Sequence, residues 1–205
     1  LSAGGPTAGH VLRPSDQKEP AKIAWLQCVG SRDLNKCDNE YCSSVCCMYA
    51  IKEAVIAREH LGADFQGSIF YMDMRTHGKD FEKYYDRAKA DGIRFIRSKV
   101  HTVNQTDESG TLALEYVTDA GETIIEDFDM VVLSVGMEPS ESAVEVAQRL
   151  GVELNQYNFV ATDDVDPVAT SRPGIYVAGV IQGCKDIPQS VMEASAAACR
   201  AGVTL

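Results

Sequence analysis

Three observations predict an α/β fold. Short apolar runs of strand length alternate with segments whose apolar residues recur at helical spacing. One run, Asp129-Met130-Val131-Val132-Leu133-Ser134-Val135-Gly136, is continuously apolar, as strands buried in a parallel sheet are. A hairpin signature, Leu112–Val117 and Thr123–Ile125 around Asp119-Ala120-Gly121, adds an antiparallel piece.

Residues 1–20 are rich in Gly, Pro and Ser and read as an extended lead-in. Ile23–Val29 reads as a buried strand ending at Gly30-Ser31. After a polar loop, a helix is expected over Ser43–His60, with Val45, Met48, Ile51, Val55 and Ile56 apolar and Gly62 at its stop. A second strand (Ser68–Asp73), a second helix (Lys79–Asp91) and a third strand (Ile93–Val103) follow. Beyond the hairpin and the strand at 129–136 come a short helix (Ser142–Leu150), a buried strand (Gly174–Gly179) and a last helix (Gln189–Ala201). The domain reading is a lead-in at 1–20, an inserted domain at 21–138 and a partial domain at 139–205.

Composition narrows the function. The chain has 205 residues, 45% hydrophobic and 24% charged, an ordinary globular balance. A net charge of −11 argues against a nucleic-acid partner, which needs clustered Lys and Arg. No apolar run approaches the roughly 18 residues of a membrane span. Leu1-Ser2-Ala3-Gly4-Gly5 lacks the charged and apolar regions of a signal peptide, so a cytoplasmic location is expected. It also lacks a starting Met, which reads as a segment of a longer protein.

Five of the seven cysteines fall between residues 28 and 47. Cys28 is followed by thirteen residues, Cys42, three residues, then Cys46-Cys47, with Cys37 inside the long gap. Cys28 is expected at a strand end. Cys42 is expected at or just before a helix start, where it would share a helix face with Cys46. A helix N-terminus has unpaired N–H groups and partial positive charge, which stabilise thiolates and an anionic iron–sulfur cluster. A disulfide scaffold would spread its cysteines through a small loop-rich chain. A lone cysteine would read as an ordinary buried residue, but five within 20 residues do not. Structural zinc is the stronger rival, although its sites use spaced Cys pairs and Cys46-Cys47 are adjacent. Cys199 reads as core and Cys184 as a loop residue.

The first strand-to-helix turn is where G-x-G-x-x-G would hold a dinucleotide. Here it is Cys28-Val29-Gly30-Ser31-Arg32, so the glycine fingerprint is absent. Asp73 and Arg75, at the second strand's end, occupy positions that can read a ribose or its phosphate, but without that turn they read as surface or partner contacts. Near the C-terminus, Thr170-Ser171-Arg172-Pro173-Gly174-Ile175-Tyr176-Val177-Ala178-Gly179 before a helix resembles the closing FAD motif of thioredoxin-reductase-like flavoproteins. That family has Asp after the glycine, where this chain has Val180.

Along nearly its whole length the chain resembles the A-subunit family of heterodisulfide reductase. The resemblance runs through Gly5-Pro6-Thr7, Arg13-Pro14-Ser15-Asp16, Cys28-Val29-Gly30-Ser31-Arg32-Asp33, the run Tyr41–Ala54 with its three cysteines, Val177-Ala178-Gly179-Val180 and Lys185-Asp186-Ile187-Pro188. It implies a Rossmann-like, thioredoxin-reductase-like three-layer domain with a β-hairpin or meander, plus the C-terminal half of an FAD-binding domain. It implies an oxidoreductase component with other subunits as partners, and a 4Fe–4S cluster on Cys28, Cys42, Cys46 and Cys47. It implies FAD near Gly179, Val180, Lys185, Asp186, Ile187 and Gln189. The ADP-binding half of the flavin domain is expected to lie outside this segment, which would then not retain FAD or activity alone. Lys52, five residues after Cys47, is a candidate catalytic cation beside the flavin, or else a solvated helix lysine. Two further readings stand beside this one: a pyridine-nucleotide-disulfide oxidoreductase using a cysteine pair, and a zinc-stabilised interaction module.

Overall fold

The computed structural model describes residues 3–106, 108 and 110–204. The chain divides into two units, Leu1–Glu40 with Cys46–Val135, and Tyr41–Val45 with Gly136–Leu205.

The first unit is a Rossmann-like α/β domain. Strands β1 (Lys22–Val29), β2 (Gln66–Tyr71) and β3 (Arg94–Arg97) lead into an antiparallel meander of β4 (Val103–Gln105), β5 (Leu112–Val117) and β6 (Thr123–Phe128). Strand β7 (Met130–Val135) then returns to the first sheet, which is parallel throughout in the order β3-β2-β1-β7. Its helices are the single turn α1 (Leu34–Cys37), then α2 (Cys46–Leu61) and α3 (Phe81–Ala90).

Alternation along the strands creates three layers. Ile23 and Trp25 of β1 and Ile69 of β2 pack with Ile51, Ala54 and Val55 of α2. Ala24 and Leu26 of β1 and Phe70 of β2 pack with Leu114, Tyr116 and Phe128 of the meander. Both faces of the central strands are covered, so β1 carries an unbroken apolar run from Ile23 to Leu26. Full burial of each large side chain contributes about 1.5–3 kcal/mol. On α2 the buried Cys47, Ala50, Ile51, Ala54 and Val55 follow helical spacing. Trp25 Nε1 donates to Glu53 Oε2 at 3.0 Å, tying β1 to α2. Gly62, at φ +88°, ends the helix in the left-handed conformation, its N–H on Arg58 O at 3.0 Å. The lead-in is turn-rich rather than extended, and its Val11 joins the helical-side core.

Three expectations about this unit change. Helix α2 begins at Cys46 rather than Ser43, so Cys42 lies outside it and shares no helix face with Cys46. The single strand expected over Ile93–Val103 is two, β3 and β4, because residues 98–102 cross from the parallel sheet to the meander. Strand β7 is an edge strand, not a buried one, with Leu133 51% and Val135 62% exposed.

The second unit holds α4 (Glu141–Arg149) and α5 (Ile187–Thr204). Ala147, Val152, Val160 and Val177 form its small core. The strand expected at Gly174–Gly179 does not form. Tyr176 makes an isolated bridge with Ala169, and Val177 N–H donates to Val168 O at 2.9 Å. Among the described residues no second strand extends this pairing into a ladder. Segment 41–45 is fastened within this unit: Tyr41 Oη donates to Met137 O at 2.8 Å, and Met137 N–H to Ser43 Oγ at 3.0 Å. Among the described residues no helix is long and apolar enough to cross a membrane.

Candidate functional site

Parallel sheets present ligands at the carboxyl ends of their strands. In the first unit, Cys28 lies one residue before the end of β1, and Cys46 and Cys47 open α2. The pairing of β1 with β7 shifts register between Leu26 and Val29, a bulge that places an extra residue there and re-aims the strand end. Cys28 itself has φ +60°. Arg32, Asp38 and Ser44 are also left-handed, so four of the eight such non-glycine residues among those described lie between positions 28 and 44. Each costs on the order of 1–3 kcal/mol, and strain of this kind concentrates at functional sites.

The thiols near this edge touch backbone carbonyls at its rim. Cys46 Sγ lies 4.0 Å from Val135 O at the end of β7. Cys47 Sγ lies 4.0 Å from Asp73 O, just past β2. Asp73 holds Arg32 through two hydrogen bonds, Nη1 to Oδ1 at 2.6 Å and Nη2 to Oδ2 at 3.0 Å, and Arg75 Nε adds a third at 3.1 Å. Those bonds, Arg32's first, hold the Asp73 carboxyl below its usual range. Arg32 is in turn pushed up, chiefly by Asp73 and further by the Cys28 sulfur within its hydrogen-bonding reach. A cation is thus fixed beside one thiol.

Residues 33–39 form a closed loop over this edge. Asp33 and Asn39 exchange backbone hydrogen bonds at 2.7 and 3.2 Å, and Asp33 accepts from Lys99 Nζ at 3.1 Å. A cavity of about 220 Å³ beneath it is lined by Cys28 and Cys37 together with Lys36, Lys99 and His101. Cys42 belongs to the other unit, where Ser44 N–H donates to its Sγ at 3.3 Å. None of the seven cysteines is disulfide-bonded. Among the described residues no three His, Cys, Asp or Glu side chains converge on a position for one metal ion. A zinc site needs such convergence, with sulfur about 2.3 Å from the ion. An iron–sulfur cluster brings its own sulfide core and binds each thiolate at a different iron, so its ligands stand further apart. Thiolate is the donor that such a cluster selects.

The residues expected around FAD lie in the second unit. Gly179 is left-handed at φ +79°, a conformation that disfavours any side chain there. Its N–H donates to Glu193 Oε2 at 2.9 Å. Val180 is half exposed and Ile187, which opens α5, is 71% exposed. Asp186 and Gln189 form a reciprocal cap: Gln189 N–H donates to Asp186 Oδ1 at 2.8 Å, and Asp186 N–H to Gln189 Oε1 at 3.3 Å. Lys185 is buried, its ammonium on Glu193 and Gln182. Lys52 is exposed on α2. Cys184 Sγ lies 3.7 Å from Met137 O, and Cys199 is exposed, not core. Sequence reasoning gave no role to Glu193, a lone acid in a helix of small residues, or to the pairing of Arg32 with Asp73.

The pyridine nucleotide-disulphide oxidoreductase family matches residues 69–198. The second iron–sulfur A-subunit of the CoB–CoM heterodisulfide reductase of Methanopyrus kandleri is 45% identical over 100% of this chain and 32% of its own length. The A-subunit of the H(2):CoB-CoM heterodisulfide,ferredoxin reductase of Methanothermobacter marburgensis is 40% identical over 100% of this chain and 31% of its own length. The chain therefore spans roughly a third of these relatives, and the resemblance read from its motifs holds along all of it. Among solved structures, Lactococcus lactis thioredoxin reductase (FR conformation) has the same fold. Its TM-score is 0.59 at 21% identity, covering 92% of this chain and 55% of that one.

Proposed function

Because the chain belongs to the pyridine nucleotide-disulphide oxidoreductase family, we propose that it is an electron-transfer segment of the A-type component of a heterodisulfide-reductase-like complex. In this reading Cys28, Cys42, Cys46 and Cys47 hold a 4Fe–4S cluster, and FAD lies against Gly179, Val180 and the start of α5 in the complete protein. The observation that carries it is the bulged, left-handed Cys28 at the carboxyl edge of a sheet, with Cys46 and Cys47 opening the next helix. A dinucleotide fold normally places a glycine-rich turn there. Here thiols and a fixed arginine stand in its place. The relatives named as iron–sulfur or ferredoxin reductase subunits support the same assignment.

When bound, the two groups supply one- and two-electron redox chemistry. The protein's own residues bind and orient them. Arg32, held by Asp73, places a positive charge beside Cys28, which offsets the negative charge of a thiolate-ligated centre. The exposed Ile187 N–H, beside the Asp186–Gln189 cap of α5, is the donor this start would turn toward electron-rich ring atoms. Exposed Lys52 is available as a further cation for the flavin. Other subunits of a heterodisulfide-reductase-like complex are the partners this reading expects.

Anaerobic reconstitution with iron and sulfide, followed by metal analysis and EPR, tests the cluster. The expected result is about four irons per chain and a reduced-cluster signal. One equivalent of zinc without sulfide, or thiols that take up no iron, would overturn it.

A further inference from the structure

The second unit contains a buried charge pair of Lys185, which the resemblance expects near FAD, and Glu193, to which it gives no role. Lys185 is 7% exposed, and its Nζ donates to both Glu193 Oε1 and Gln182 Oε1. Glu193 uses its other oxygen, Oε2, to accept the Gly179 N–H at 2.9 Å. Gln182 Nε2 in turn donates to Thr162 Oγ1 at 2.9 Å. One carboxylate on the second turn of α5 therefore grips both ends of the turn 179–185.

Several backbone donors around this grip are spoken for. The Gly179 N–H goes to Glu193, the Gln189 and Ser190 N–H groups go to Asp186, and Pro188 has none. Among the N–H groups here without a protein acceptor among the described residues, those of Val180 and Ile187 belong to the exposed residues, whereas Ile181 and Gly183 are half-buried and Lys185 is buried. The relative placement of the Val180 and Ile187 groups depends on how the turn 179–185 is held against α5.

We propose that Lys185 and Glu193 are positioning residues for FAD: they lock the turn to α5 so that the Val180 and Ile187 N–H groups meet the flavin together. Neither side chain touches the cofactor. The inference rests on the reading that FAD occupies this turn. Apolar residues in place of the pair would pack as firmly, since a buried ion pair is often no more stabilising than its apolar isostere. What apolar residues cannot supply is direction, because hydrogen bonds fix the Gly179 amide and apolar contacts do not.

The test uses the full-length protein purified anaerobically, with thermal stability, FAD dissociation constant and flavin visible circular dichroism as readouts. Lys185→Met and Glu193→Leu each bury an unmatched charge and melt lower. The Lys185→Met/Glu193→Leu double variant recovers the melting temperature. Its FAD affinity stays weakened about 10- to 100-fold, the equivalent of one lost charged hydrogen bond, and its dichroism stays altered. The Lys185→Gln/Glu193→Gln double variant can rebuild the network without the charges, the amide oxygen at 193 accepting from Gly179 and its NH2 donating to the amide oxygen at 185, and retains FAD with the native spectrum. A Met/Leu variant that binds FAD natively, or a stable Gln/Gln variant that loses it as fully as Met/Leu, would overturn the positioning role. An unsubstituted protein that holds no FAD would instead overturn the flavin reading on which it rests.

Discussion

Arg32 and Asp73 form a two-point ion pair that fastens the chain just beyond Cys28 to the end of β2, 41 residues away in sequence. Paired geometry of this kind fixes direction as well as distance. It also keeps Arg32 from swinging into solvent away from the Cys28 sulfur. Asp73→Asn is expected to lower unfolding stability by only about 1 kcal/mol, because the pair is partly exposed. Its larger effect is expected on iron retention after anaerobic reconstitution, measured against Arg32→Lys, which keeps the charge but not the fork. Full iron content in both variants would show that the pair serves the fold alone.

The five clustered cysteines separate into expected ligands and a bystander. Alanine at Cys28, Cys42, Cys46 or Cys47 is expected to abolish or convert the EPR signal and to cut bound iron and sulfide. Alanine at Cys37, the exposed end of the single-turn α1, is expected to leave both unchanged. Because Cys37 lines the same cavity as Cys28, a loss of signal in Cys37→Ala with a normal signal in Cys28→Ala would exchange their roles.

Lys52→Met removes an exposed cation from α2 without disturbing the buried stripe of that helix. If Lys52 serves the flavin, the midpoint potential of the complete flavoprotein is expected to fall, because a reduced, anionic flavin loses a stabilising charge. Stability should change by less than about 0.5 kcal/mol, as at other exposed sites. An unchanged potential would leave Lys52 a solvated helix residue.

Local patterns carried most of the first unit. Strand β1 was legible because both faces are covered and every residue from Ile23 to Leu26 is apolar. Helix α2 was legible from the spacing of its buried residues, but not its start. Tyr41 and Ser43 are fastened through Met137, about 95 residues downstream, and no local signal reports such a tether. The bulge at Cys28 was hidden for a similar reason, since it arises from register against β7 rather than from any glycine. Glu193 was missed because its importance lies in Lys185 and Gly179, which a helical pattern does not show. Helix α5 is apolar or small around most of its circumference, the composition of a buried helix. Yet Ile187, Val191, Met192 and Val203 are all exposed, so its sequence reads as more enclosed than it is here.

Glu126 gives the first unit an acid-sensitive contact. Burial pushes its carboxyl up, but hydrogen bonds from Arg94, Lys22 and Tyr116 outweigh burial and bring it from an ordinary 4.5 down to about 2. Arg94 Nη1 and Nη2 meet its two oxygens at 2.6 and 3.0 Å, Lys22 Nζ lies at 2.8 Å and Tyr116 Oη at 2.7 Å. The contact joins β1, β3 and the meander. A depressed carboxyl stabilises the fold fully above its unfolded value, and that contribution is lost as pH falls through the window from 4.5 to about 2. Wild-type protein is therefore expected to lose more stability than Glu126→Gln between about pH 6 and pH 3, by the linkage between ionisation and folding. At neutral pH Glu126→Gln should be less stable by about 1.5–3 kcal/mol, the range for a hydrogen-bonded charged group. Urea midpoints of both proteins across that range decide it, and parallel pH curves would show that Glu126 contributes nothing through its charge.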